Sequence, residues 1–389
     1  MTRNWQTAQS EYDLVFPQGR SGNIPLGIKC QTLLSYGSPV PSAGAIKKME
    51  DIMKHTAEDL KLMQSLPLDM KIQLSKDRIR SWVNTYGESG VYVSYSGGKD
   101  STVLMHLVKQ DYPDVPVVFC DTGLEYPEVR AMAIKNADVV LKPKMRFREV
   151  IEKYEYPIIS KEVSGNVYYA RLGGADTSYY KKLFGLLKNK DGDKNAYCCE
   201  KWSYLYDAPF KIGNNCCNVM KKRPAKEYGH AEKRKAILGT MAEESRLRMQ
   251  KWMQNGCNMY DANEPKSMPL AFWTEQDILA YILRYGLEIP SVYGNIVSVD
   301  QDDMEYESDL FGVGKLKCTG LNRTGCMFCG FGAHLEKYPN RFQRMKKTHP
   351  KLWDYCIHGG EYGEDGMWRP SRTGLGMGKV LDYIGVPYE

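Results

Sequence analysis

The apolar positions first turn periodic after Ala45. "AEDLKLMQ" and "MKIQLSKDRIRSWVNTYG" place them three and four residues apart, which predicts helices. Pro67 breaks the run and Gly87 ends it near Tyr86. Residues 1–44 carry Gly, Pro and Ser with weak periodicity and read as an irregular arm. Strand and helix signals then alternate. Val91–Tyr95 reads as a strand and Ser101–Gln110 as a helix. "VPVVFC" (115–120) reads as a second strand, Glu128–Asn136 as a helix and "DVVL" (138–141) as a third strand. This alternation argues for a parallel sheet with right-handed crossovers. Residues 161–235 are polar and tyrosine-rich, and predict an insertion or lid rather than core. The α/β pattern resumes with "KAILGTM" (235–241) and "MPLAFW" (268–273), a strand or extended segment. Thr274 and Asp277 cap a helix over "EQDILAYILRYG", and a basic helical stretch lies near the C-terminus.

Bulk properties add limits. The 389 residues carry a net charge of +6, which suits an anionic substrate. No apolar leader and no run of 18 apolar residues occur, so the expected compartment is the cytoplasm, with no membrane partner. Eleven cysteines in a reducing compartment point to metal or redox chemistry rather than disulfides. They gather late, as the pairs Cys198–Cys199, Cys216–Cys217 and Cys326–Cys329. Cys30 and Cys120 stand apart.

The stretch "VYVSYSGGKDSTVL" (91–104) places "SGGKDS" between a strand and a helix. Glycines let backbone N–H groups approach phosphate, and the helix start adds its positive dipole end. Lys99 supplies a charge, Asp100 is a candidate for Mg²⁺, and Ser96 and Ser101 offer hydroxyls around Gly97 and Gly98. The stretch is not a Walker A loop, because Val93 and Asp100 stand where that loop needs glycine and a hydroxyl residue. "GLGMGK" (374–379) fails the dinucleotide pattern at Lys379 and reads as a loop.

These residues resemble the PP-loop ATP pyrophosphatases of the adenine nucleotide alpha-hydrolase superfamily. "CDTGLEYPEV" (120–129) resembles the second-strand motif of the branch holding the phosphoadenosine phosphosulfate reductases. "GTMAEESRLR" (239–248) resembles a further motif of that branch, with Met241 where an arginine would stand, and "PLAFWTEQDILAYI" resembles its proline–tryptophan segment. The resemblance covers about residues 85–335. It implies a doubly wound, mostly parallel α/β sheet with an N-terminal helical arm (1–86). A nucleotide-binding domain (87–300, with the insertion at about 161–235) follows, then a Cys-rich C-terminal region (301–389). Asp121, Thr122, Gly123, Gly239 and Glu244 join the loop as nucleotide-binding candidates. Lys161 and Arg246 join Lys99 and Asp100 as catalytic candidates.

"NCCNVMKKRP" and "GCMFC" resemble the cysteine signature of the iron–sulfur sulfonucleotide reductases, with Met220 where the family has arginine. Cys216, Cys217, Cys326 and Cys329 match its four ligands. The resemblance implies a [4Fe–4S] cluster, stabilised by nearby cations. Structural zinc is the alternative, with Cys318 as a further ligand, and Cys198–Cys199 are a rival pair for the same ligation. Cys257 reads as a buried or loop thiol, and His230, His334, His349 and His358 as surface or satisfied groups. The reductases' C-terminal nucleophile has no good match, because Cys356 in "DYCIHGG" lacks the flanking glutamate and glycine. The intact Lys99–Asp100 pair favours cleavage of ATP to AMP and pyrophosphate, adenylating an acceptor that then receives sulfur. The ATP-using iron–sulfur subunit of bacterial DNA phosphorothioation systems resembles this combination. It implies a nucleic-acid acceptor and a cysteine desulfurase or other sulfur donor. Two further readings stand beside it: a sulfonucleotide reductase releasing sulfite, and a nucleotide-binding regulatory subunit without turnover.

Overall fold

Thr56 and Asp59 cap each other reciprocally, by hydroxyl and carboxylate, at the start of α1 (Ala57–Gln64). Pro67 precedes α2 (Leu68–Tyr86), and Gly87 at φ +77° ends it. The computed structural model describes residues 55–190, 192–299 and 314–389. The arm expected over 1–44, the helical pattern from Ala45 to residue 54, Cys30 and the opening of the region at 301–389 lie outside the described residues.

The chain then runs β1 (Val91–Tyr95), α3 (Lys99–Asp111), β2 (Val117–Cys120), α4 (Pro127–Asn136), β3 (Val139–Leu141). The path continues through α5 (Phe147–Lys153), β4 (Ile158–Ile159), α6 (Lys161–Gly173), α7 (Ser178–Leu183) and α8 (Arg223–Ala231). It returns to the sheet as β5 (Lys235–Leu238), α9 (Arg246–Asn255), β6 (Asn258–Met259) and β7 (Lys266–Ser267), followed by α10 (Glu275–Tyr285). The central sheet has the order β3–β2–β1–β5–β7–β6, parallel except for β6. From β1 the chain builds outward through β2 and β3, then crosses to β5 on the other side. Such a switch point opens a crevice beyond the carboxyl ends of the strands, where α/β proteins bind ligands. Val93 pairs with Val117 on one side and Ile237 on the other. It is fully buried, which is why this strand reads as an apolar run.

Among the described residues two large apolar cores form, beside a small cluster of Leu279, Tyr293, Leu316 and Cys318. One surrounds the sheet, with Trp82, Leu104, Phe119 and Trp273 among its fully enclosed side chains. The other joins residues 124–220 to residues 327–386, and includes Tyr156, Phe210, Phe342 and Cys356. The final part contributes β8 (Ile296–Val299), β9 (Lys315–Cys318), β10 (Gly330–Phe331), α11 (Arg341–Thr348) and α12 (Pro350–Ile357). β10 pairs with β4 in parallel, tying the C-terminal region to the middle of the chain.

Three expectations are corrected here. Segment 161–235 is not peripheral to the core: Val163, Val167, Leu183, Leu205, Phe210 and Ile212 are buried in the second one. Its apolar residues beyond Leu187 are sparse, whereas Val163, Val167 and Ala170 stand at helical spacing on α6, a signal of burial that the polar composition masked. Residues 200–210 are shaped by Arg171, whose guanidinium donates to the carbonyls of Leu205, Tyr206, Ala208 and Phe210 at 2.8–2.9 Å. The strand or extended segment expected over 268–273 is neither: β7 ends at Ser267, before it begins. Pro269 cannot donate to a ladder, and the segment folds as a buried turn closed by Trp273 N–H to Leu270 O (3.0 Å). "GLGMGK" is not all loop: Gly376 at φ +64° starts a helix, α13 (Met377–Tyr383), which contains Lys379.

Candidate functional site

β1 delivers the chain to Ser96, and three residues turn it into α3. Gly97 has φ +75°, and a Cβ there would lie 2.4 Å from Val129 O, so both backbone and space demand glycine. Ser96 N–H donates to Ser101 Oγ (3.2 Å), while the Ser101 and Thr102 hydroxyls donate to Gly98 O (2.9 and 3.1 Å). Gly239, just after β5, backs onto this turn: a Cβ there would come 3.1 Å from Asp100 O. Lys99 is 2 % exposed. Its Nζ lies 3.2 Å from Asp100 Oδ1, 3.3 Å from Glu275 Oε1 and 5.7 Å from the Tyr293 ring centre. Burial works against its charge, but Asp100, Glu275 and Tyr293 outweigh burial and raise its pKa, so it stays a cation. Its backbone N–H donates to Tyr293 Oη (3.3 Å), which is hydrogen-bonded to Thr324 Oγ1 (2.7 Å).

Asp121 follows β2 and is gripped by Arg130, Nε to Oδ1 and Nη2 to Oδ2, both at 2.7 Å. These bonds hold its carboxyl below the usual range. The Thr122 hydroxyl meets both Glu125 oxygens (2.8 and 2.9 Å), and Gly123 turns at φ +70°. Buried Glu125 receives Lys221 Nζ at 3.2 Å. A cavity of about 120 Å³ opens at the ends of β1 and β2, walled by Ser94, Ser96, Cys120, Glu125 and Lys221 among others. It touches the phosphate loop on one side and the basic residues of the cysteine segment on the other.

Cys216 and Cys217 precede a π-helical turn, Asn218–Lys222, that runs into α8. Such widened turns recur at functional sites. The fold brings Cys216, Cys217, Cys326 and Cys329 close enough to act on one another's titration. The hydrogen bond between Cys216 and Cys217 favours the Cys217 thiolate, which Lys161, Lys221 and Lys222 also stabilise; Cys216 is correspondingly held protonated. Burial is the largest effect on Lys221 and opposes its charge, yet Cys326, Glu125 and Cys217 outweigh it and raise its pKa. Arg341 donates to Cys329 O (2.9 Å). Behind the pair, Asn215 Nδ2 donates to Glu155 Oε1 (2.9 Å). Burial pushes the Glu155 carboxyl up to about 7. Gly213 leaves room for it, since a Cβ there would sit 1.8 Å from Glu155 Cδ.

Four thiols ringed by lysines fit a thiolate-ligated centre in donor chemistry and charge. Among the described residues, no three His, Cys, Asp or Glu side chains stand at metal-ligand spacing.

The other expected residues distribute as follows. Lys161, at the start of α6, faces the cysteines electrostatically. Arg246 is exposed on α9. Arg248 is the arginine of that helix that feels Asp100, and it pairs with Glu244. Cys318 feels Lys99, Glu275 and Asp100 rather than the four thiols. Cys199 accepts from Asn166 (3.5 Å), and Cys198 lies 3.4 Å from Leu187 O; this pair lines a separate hollow with Lys194 and Lys201. Cys356 and Cys257 are buried. His230, His349 and His358 lie beside carboxylates, but Nδ1 of His334 is buried without a partner. The sequence reading missed Glu125, Arg130, Glu275, Tyr293 and Thr324. The acid in "DTGLE" was a usable signal for Glu125, whereas nothing local marks Tyr293 or Thr324.

A glycine loop at the switch point of a parallel sheet, with a buried lysine at the helix start, defines an α/β nucleotide-binding protein. The chain belongs to the phosphoadenosine phosphosulfate reductase domain family, whose profile matches residues 90–159 and 179–330. It is 25% identical over 247 residues to an adenosine 5'-phosphosulfate reductase of Staphylococcus haemolyticus, covering 62% of this chain and 75% of that one. A phosphoadenosine 5'-phosphosulfate reductase of Xanthomonas euvesicatoria pv. vesicatoria is 37% identical over 60 residues, 15% of this chain and 25% of that enzyme. A solved phosphoadenylyl-sulfate reductase from Candida auris, in a phosphate complex, aligns over 66% of this chain and 92% of its own. That alignment has a TM-score of 0.34 and 14% identity. Among the described residues no helix is long and apolar enough to cross a membrane.

Proposed function

We propose that the protein is an ATP-dependent sulfur-transfer enzyme. It cleaves ATP to AMP and pyrophosphate, adenylates an acceptor and delivers sulfur to it at the thiol site. The observation that carries this reading is an intact phosphate loop with a buried Lys99, beside a cavity lined both by Ser96 of that loop and by Lys221, one of the lysines that favour the Cys217 thiolate. The loop N–H groups and Lys99 would bind the phosphates and stabilise charge as an acceptor oxygen attacks the α-phosphate. Asp100 would hold Mg²⁺, which supplies charge neutralisation on pyrophosphate. Cys216, Cys217, Cys326 and Cys329 would hold a [4Fe–4S] cluster, which supplies electron-transfer and sulfide-binding chemistry. Lys161, Lys221 and Lys222 would keep the thiolates charged and draw an anionic acceptor toward them. Sulfur then displaces AMP, a far better leaving group than the original oxygen.

A sulfonucleotide reductase is the second reading, favoured by the names of the relatives. It needs a cysteine free to attack sulfur, and buried Cys356 does not supply one. The test is pyrophosphate release from ATP by anaerobically purified protein, run beside sulfite release from adenosine phosphosulfate and phosphoadenosine phosphosulfate with thiol. Pyrophosphate formation supports sulfur transfer. Sulfite without pyrophosphate overturns it in favour of reduction, and neither product favours a regulatory subunit. Iron and zinc quantitation with the visible spectrum decides the metal.

A further inference from the structure

The first N–H groups of a helix are the donors an anion uses in a phosphate loop. In this protein the N–H of Lys99, first residue of α3, already has an acceptor: the Tyr293 hydroxyl, at 3.3 Å. A Cβ on Gly98 would fall 3.0 Å from that oxygen and 3.4 Å from Thr324 Oγ1. Two hydroxyls, 2.7 Å apart, therefore lie against the loop where a phosphate oxygen would dock.

Tyr293 is buried and held from several sides. Its ring takes Lys99 Nζ, its carbonyl accepts from Gly320 N–H (2.8 Å), and the Val292 carbonyl accepts from Leu321 N–H (2.8 Å). Thr324 stands two residues before Cys326, and Met327 N–H donates to Leu124 O (2.8 Å). One hydroxyl thus joins the phosphate loop to the segment that carries two of the four thiols. A single N–H serves one strong acceptor well, so phosphate and the Tyr293 hydroxyl compete for it.

We propose that a bound nucleotide takes the Lys99 N–H from Tyr293, and that the released Tyr293–Thr324 pair repositions the segment leading to Cys326. Tyr293 is then a positioning residue that reports occupancy of the loop to the thiol site. The proposal rests on the nucleotide-binding part of the reading above, and involves only an exchange of hydrogen bonds.

Hydrogen–deuterium exchange on the full chain, anaerobically purified, tests it with ATP and separately with adenosine phosphosulfate. A bound nucleotide is expected to slow exchange over residues 96–102 and speed it over 319–330. Tyr293→Phe keeps the ring and frees the N–H, so ATP binds about five-fold tighter, the worth of roughly one hydrogen bond. In that variant residues 319–330 no longer respond. Thr324→Val loses the response and Thr324→Ser keeps it, a split that a purely structural role would not produce. Protection of 96–102 with no response over 319–330 in the unaltered protein overturns the proposal and leaves nucleotide binding standing. Unchanged ATP affinity in Tyr293→Phe also overturns it. No protection by either nucleotide overturns both this proposal and the nucleotide reading. Pyrophosphate release on the same samples is a separate readout: binding without cleavage defeats the proposed function alone.

Discussion

The phosphate loop and the thiol site are built on opposite principles. The loop takes its shape from backbone: glycines where no Cβ fits, and hydroxyls folded onto carbonyls within six residues. The thiol site is assembled from separate segments and is marked by charge: Lys161, Lys221 and Lys222 favour the Cys217 thiolate, and Arg341 and Lys161 act on Cys329. A backbone site is exact but intolerant of added atoms. A site marked by charge tolerates atoms and depends on which groups are ionised.

The largest effect expected on this contrast comes from Lys99→Met. Removing this buried cation from the loop should lower pyrophosphate release by about a hundred- to a thousand-fold. Metal content and visible spectrum of the anaerobic protein should stay unchanged. If the thiol site is lost as well, the two regions are one unit and the contrast fails. Next is Gly97→Ala, which meets positive φ and the Val129 carbonyl together, and should cost about 3 kcal/mol or more in denaturant unfolding.

Glu155 sharpens the thiol side through pH. Its folded pKa, about 7, lies above its unfolded value. The folded state therefore holds an extra proton between the ordinary carboxylate range and pH 7, and stability falls as pH rises through that window. Thermal melts should drop by about 3–5 °C across it, and Glu155→Gln should flatten the slope. A slope unchanged by that substitution would sink the assignment to Glu155. The smallest effect is Gly123→Ala. It also replaces a positive-φ glycine, but nothing lies within 4 Å of the added Cβ, so about 1 kcal/mol is expected. Equal costs at Gly97 and Gly123 would show that space does not matter at the loop.

What could be read in the sequence follows the same division. Val91–Tyr95 and Val117–Cys120 are enclosed strands, so their apolar runs announced them. The loop was legible because phosphate binding by backbone demands glycine in a fixed local order. The thiols were singled out by their pairing and by the basic residues that follow Cys217. Their partners were not: Tyr293 meets Lys99 across 194 positions, and Lys221 meets Glu125 only through the folded sheet. The interior role of 161–235 was hidden because its polar composition masked the helical spacing of Val163, Val167 and Ala170. Met268–Trp273 misled for the converse reason, an apolar run whose Pro269 bars it from a ladder.

Arg171 carries a consequence of another kind. Its four bonds reach backbone carbonyls, which every amino acid possesses. The segment just upstream of Cys216 therefore keeps its course through a residue outside itself. In a saturation library, exposed positions between 200 and 210 should accept most replacements, while position 171 accepts almost none, lysine included, since an ammonium lacks the planar fork. Variation is thereby licensed in the stretch that leads to the thiols, and the record of that licence is kept on a different helix.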